Sequence, residues 1–97
     1  MDREMAMQVS ISHPTDRSNF SRVDVGGVTI WFSYRTPIAF HTDDAGTVVR
    51  KNDWSNTTGR HLSFVDDGDK KSRISGSDFE ARLSALVATW QKVDVAA

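Results

Sequence analysis

Histidines at positions 13, 41 and 61 are the side chains of this sequence best suited to proton transfer or metal ligation, and two hydroxyls, Thr57 and Thr58, lie close to the last of them. A histidine beside a hydroxyl is the minimal pair for nucleophilic chemistry, because neutral imidazole can take the proton of an attacking oxygen. The spacing gives a metal little support: no two histidines share a helix face or a tight turn, even with Asp43 and Asp44 counted as further ligands. No glycine elbow surrounds a nucleophile and no paired carboxylate accompanies His61, so a hydrolase or nuclease built on His61 and Thr58 is the third of three functional readings. Cysteine is absent, which removes disulfides, thiolate zinc sites and a cysteine nucleophile together. No metal, no cofactor and no catalytic residue are expected.

Residues 66–78 imitate a calcium loop, with Asp67, Asp69 and Asp78 at its first, third and twelfth positions. The imitation fails where the chemistry is strict, because Lys71 stands for an oxygen ligand and Ser72 for the required glycine. Residues 66–76 therefore read as a charged, exposed loop.

Residues 54–65, WSNTTGRHLSFV, carry the strongest binding signal. They join an indole, two hydroxyls, a cation and an imidazole in a turn-prone segment. One reading is purely structural: Trp54 tucks under a sheet, the threonines bond backbone, Gly59 supplies an unusual backbone angle and His61 is a satisfied strand residue. The other gathers Trp31, Arg35, Arg50, Lys51, Trp54, Thr57, Thr58, Arg60 and His61 into a basic and aromatic face.

The elements that would carry these residues follow from periodicity. Met7, Val9 and Ile11 alternate with polar residues, which predicts a short strand ended by Pro14. A strand over 20–25 meets Gly26-Gly27, whose freedom at positive φ suits a tight hairpin turn, and returns over 28–34. A second hairpin joins 38–41 to 47–51 through the acidic turn at 42–46. Alternation over 60–65 predicts a last strand, with Leu62 and Phe64 on one face. Ser77 and Glu80 have the spacing of a capping box, and Phe79, Leu83, Leu86, Val87 and Trp90 recur at helical spacing behind it. The expected fold is α+β: an antiparallel meander of five to six strands with one C-terminal helix across one face, leaving the other face, with Trp31, Arg35 and His61, open. Residues 1–7 and 92–97 are expected to fray.

Composition bounds what this fold can do. At 97 residues, 38% hydrophobic and 26% charged, the chain suits one domain with a modest core. Twelve basic and thirteen acidic residues give a net charge of −1, so nucleic-acid binding would need a local patch. A mean hydropathy of −0.44, and no long apolar run, predict no membrane association. The start lacks a signal peptide's pattern, and a cytoplasmic location is expected.

Residues 33–40, SYRTPIAF, followed by VRKN at 49–52 and WSNTTGRHL at 54–62, resemble a family of small uncharacterised proteins of phages, prophages and plasmids with the pattern SYxTPxAF…WSxTTGxHL. The likeness runs from about Val28 to the last helix and leaves the N-terminal strand outside. It marks Tyr34, Pro37, Trp54, Thr57, Thr58, Gly59 and His61 as hallmark positions, and implies a mobile-element protein working inside a bacterial cell. The leading expectation is a non-catalytic protein that binds a bacterial protein or nucleoprotein stoichiometrically, as an anti-defence inhibitor of the anti-CRISPR kind or a host regulator. The second is a single-stranded nucleic-acid binder using Trp31, Trp54 and His61 beside Arg35, Arg50 and Arg60. A homodimer through an exposed edge strand is compatible with either.

Overall fold

A computed structural model of the chain describes residues 9–15 and 17–96, with side chains described as far as Thr89. Its elements are β1 (Val9–Ser12), β2 (Phe20–Val25), β3 (Val28–Ser33), β4 (Thr36–Thr42), β5 (Gly46–Val49), α1 (Asn56–Asp66) and α2 (Gly76–Ala96), with a 3-10 turn at Lys70–Ser72. The strands lie in sequence order in one sheet, each antiparallel to the next. From β2 onward short connections impose that order, since a two- or three-residue turn can only return a chain beside the strand it left. Gly26 and Gly27 adopt φ of 54° and 82° between β2 and β3.

Both faces of the sheet are covered. Along β3, Val28, Ile30 and Phe32 join Phe40, Val48, Phe79, Leu83 and Leu86 in one apolar cluster. Trp31, which points the opposite way, joins Phe20, Ile38, Ala39, Val49, Leu62 and Val65 in another. Because successive strand residues face opposite sides, α2 packs on one face and α1 on the other. A register shift between Trp31 and Phe32 leaves Ile38 unpaired between Pro37 and Ala39, and this bulge lets Ile38 and Ala39 both enter the cluster under α1.

Three expectations are corrected here. Residues 60–65 are helical and belong to α1. The apolar alternation of Leu62 and Phe64 is real in sequence, but the stronger pattern is Thr58, His61, Leu62 and Val65. Their i, i+3, i+4, i+7 spacing forms the helix face that meets the sheet. The Ser55 hydroxyl caps the helix by accepting from the Thr58 N–H at 3.4 Å. Asn52 shapes the approach, its Oδ1 accepting from the Trp54 amide at 2.9 Å. As a consequence the sheet face expected to lie open is occupied by α1, on which Leu62 is fully buried. Finally, α2 is capped two residues earlier than the Ser77–Glu80 box. Ser75 accepts from the Asp78 amide at 3.2 Å, and Glu80 turns instead to Arg50.

The loop expected over 66–76 is partly built in. Arg73 is buried and paired with Asp66 at 2.7 Å. Ile74 adds a parallel bridge beside β5, donating to Val49 O and accepting from Lys51 N. Met7 and the expected fraying of 1–7 lie outside the described residues, as does the Trp90 side chain. Helix α2 runs to Ala96.

Candidate functional site

Two hydroxyls and an imidazole meet where α1 crosses the end of β3. The Ser33 Oγ lies 3.0 Å from Thr58 Oγ1 and 2.7 Å from His61 Nδ1. Ser33 reaches this point as the last α1-facing residue of β3. Thr58 and His61 reach it because they are three apart on one helix face. Ser33 is 2% exposed and His61 8%, and the imidazole lies parallel to the Phe20 ring at a centroid distance of 4.5 Å. Burial, then the neighbouring Arg60 cation, hold His61 below the ordinary imidazole value. The neutral ring can accept at Nδ1 from Ser33, while Ser33 accepts from Thr58; each group then satisfies the next. All three side chains are almost wholly buried, at the floor of hollows that open beside α1.

The next residue, Tyr34, has a φ of 58°, a costly conformation for a bulky side chain. It opens the Ser33–Thr36 hairpin and is held by its amide donating to Asn19 O at 2.7 Å. This strain sets the phenol out in solvent beside α1, 6.3 Å from the His61 ring.

Arg50 occupies a separate, structural position. Its guanidinium is buried, pairs with Asp53 and Glu80 at 3.2 Å each, and lies 4.5 Å over the Trp54 ring and 5.7 Å from Phe79. It thereby ties the start of α2 to the segment before α1. A Cβ at Gly76 would run into that guanidinium, so Gly76 permits this close approach. Gly59 acts similarly: its φ is ordinary for a helix, and a side chain there would press on Asn52 Nδ2 at 3.1 Å.

The residues singled out from sequence therefore separate. Thr58 and His61 are buried against the sheet. Trp31 is half-buried in the cluster under α1, with the Arg22 guanidinium 5.7 Å from its ring, and Arg50 is enclosed by its partners. Trp54, Arg60 and Arg35 stay at the surface and Thr57 is half-buried, Arg60 lying within 3.4 Å of Thr57 Oγ1. Among the other histidines, His13 Nδ1 meets Phe20 O at 3.1 Å and His41 Nδ1 meets Thr47 Oγ1 at 2.8 Å.

Three hollows adjoin α1 and share lining residues. The first, about 360 Å³, lies between Tyr34, Thr36, Trp54 and Ser55, above Ser33 and Thr58. The second, about 350 Å³, shares Tyr34 and adds Arg17, Thr57, Arg60, His61 and Phe64. The third, about 750 Å³, shares Arg60 and is walled by Lys51, Asn52, Asn56, Ser63, Lys70 and Arg73. Tyr34 and Arg60 thus link an aromatic end to a basic end around the outer side of the helix. Sequence reasoning missed Tyr34 as a surface feature, along with Arg17, Phe64 and Lys70. The signal available for Phe64 was its place outside the 58, 61, 62, 65 stripe.

No helix among the described residues is long and apolar enough to cross a membrane. Neither a curated protein nor a solved structure matches the chain. Residues 7–81 match the model of a family described as a family of unknown function (DUF8033); the match spans all five strands and α1 and stops inside α2.

Proposed function

The chain belongs to this family of unknown function, DUF8033, and from the geometry we propose that it is a non-catalytic protein that binds a bacterial macromolecule, protein or nucleoprotein, stoichiometrically. In this reading it is the product of a phage, prophage or plasmid, acting in the cytoplasm of the host as an anti-defence inhibitor or host regulator. The observation that carries the reading is the outer side of α1. Tyr34, Trp54 and Phe64, exposed by 56, 47 and 55%, border it together with Arg60.

Large aromatic side chains left half in water are costly unless something covers them, and aromatic and arginine side chains dominate binding energy where partners meet. Thr58, Ser33 and His61 support that surface from beneath, fixing the roll of α1 on the sheet. The hydrolase reading has less support, because Ser33 and His61 are almost wholly buried and turned to each other. Affinity capture from a bacterial lysate tests the proposal: the wild-type protein retains a specific partner at a one-to-one ratio, and the double variant Trp54→Ala, Arg60→Ala loses it. Failure to capture any partner, or capture indifferent to both substitutions, contradicts it.

A further inference from the structure

We infer that the outer side of α1 takes single-stranded nucleic acid, with its bases against Tyr34, Trp54 and Phe64 and its phosphates along Arg17, Arg60, Lys51 and Lys70. The inference rests on the binding reading above and names the ligand class of the same surface. Its first support is the continuity of the three hollows. Tyr34 joins the Trp54 end to the Phe64 hollow, and Arg60 joins that hollow to the basic one. A single strand carries a base and a phosphate at every nucleotide, so the rings toward one end of this track and the cations toward the other can each meet a matching group.

Charge complementarity is the second support. Among the described residues, no carboxylate lines any of the three hollows, although the chain as a whole carries a net charge of −1. Three acids near these residues in sequence are turned to other partners: Asp53 to Arg50, Asp66 to Arg73 and Asp69 to Ser72. Among the described residues, Arg17, Lys51, Arg60 and Lys70 form no ion pair. Arg73 also borders the basic hollow, but its Nε and Nη2 are occupied by Asp66. A duplex would meet the cations but hide its base faces from the three rings. The surface therefore favours the unpaired strand.

Fluorescence anisotropy with a labelled single-stranded oligothymidylate of about 16 nucleotides tests the inference on the full chain. Each phosphate contact to a single strand lowers the slope of log affinity on log salt by about 0.7. Four contacts give a slope of about −3 and a loss of about 50-fold between ~50 and ~200 mM salt. Arg60→Ala with Lys70→Ala is expected to weaken binding at least tenfold and flatten that slope. Phe64→Ala is expected to weaken it by about tenfold with little change of slope. Arg82→Ala, which removes a charge from exposed α2 on the other side of the sheet, should leave the titration unchanged.

A flat titration at low salt overturns the inference, as does an Arg82→Ala effect equal to that of the Arg60 and Lys70 pair. Equal affinity for the same sequence in duplex form also overturns it, and so does competition by inorganic phosphate at the strand's own phosphate concentration. If the titration is flat while a protein partner is captured through Trp54 and Arg60, the ligand class falls and the binding reading stands. If neither is bound, both fall.

Discussion

Ser33→Ala removes the oxygen that both Thr58 Oγ1 and His61 Nδ1 meet, leaving two buried polar atoms to find other partners. The expected cost is about 1 to 3 kcal/mol, read as a lower urea midpoint at unchanged slope. His61 adds a pH dependence. Its folded pKa is depressed by burial, so below the ordinary value of about 6.5 the unfolded chain binds more protons than the folded one. The stabilisation is therefore present above pH ~6.5 and is lost as pH falls through the folded value. Thermal unfolding should show a decline in melting temperature on the acid side of ~6.5 that is reduced in His61→Gln; an unchanged decline would show that His61 does not cause it. At this scale the sequence pointed to His61 and Thr58 but not to Ser33. The two histidine-network residues are neighbours in α1, whereas Ser33 is 28 positions before His61 and joins them only because α1 lies across β3. The burial of Arg50 was hidden for a related reason. Nothing local in the sequence shows that Glu80, 30 positions on, turns back to it.

Among the elements, β2 and the glycine turn after it were fully legible, because each strand has its own alternation and the turn chemistry is strict. Helix α1 was not, because its buried stripe contains Thr58 and His61 in place of aliphatic residues, while Leu62 and Phe64 imitate a strand. Substitution separates the two phases. Leu62→Ala should cost about 2 to 5 kcal/mol, since the side chain is fully buried. Phe64→Ala should cost no more than about 1.5 kcal/mol, the range of its edge contact with Phe20. A strand with both residues on one face would make the two costs comparable. The joint between the helices is equally specific. Gly76→Ala forces a methyl group against the Arg50 guanidinium and should destabilise by about 1 to 3 kcal/mol, measured by denaturant unfolding.

Across the whole molecule, the sheet is a central layer with α2 on one side and α1 on the other, and this arrangement moves the candidate surface. An α+β fold with an antiparallel sheet could be read from the order of strands and the C-terminal helical stripe. The position of the exposed aromatic rim could not, because that inference assumed one helix and the second helix covers the face it left open. What remains outside is the rim of α1, where Tyr34, Trp54, Phe64 and Arg60 converge from three parts of the chain. The central claim is that this rim engages the partner. It is tested most directly by amide hydrogen exchange of the full chain with and without the captured partner. The account predicts slowed exchange at residues 34–35 and 54–64, with the β1 segment and the exposed side of α2 unchanged. Protection confined to β1 or α2, with none around α1, would contradict it.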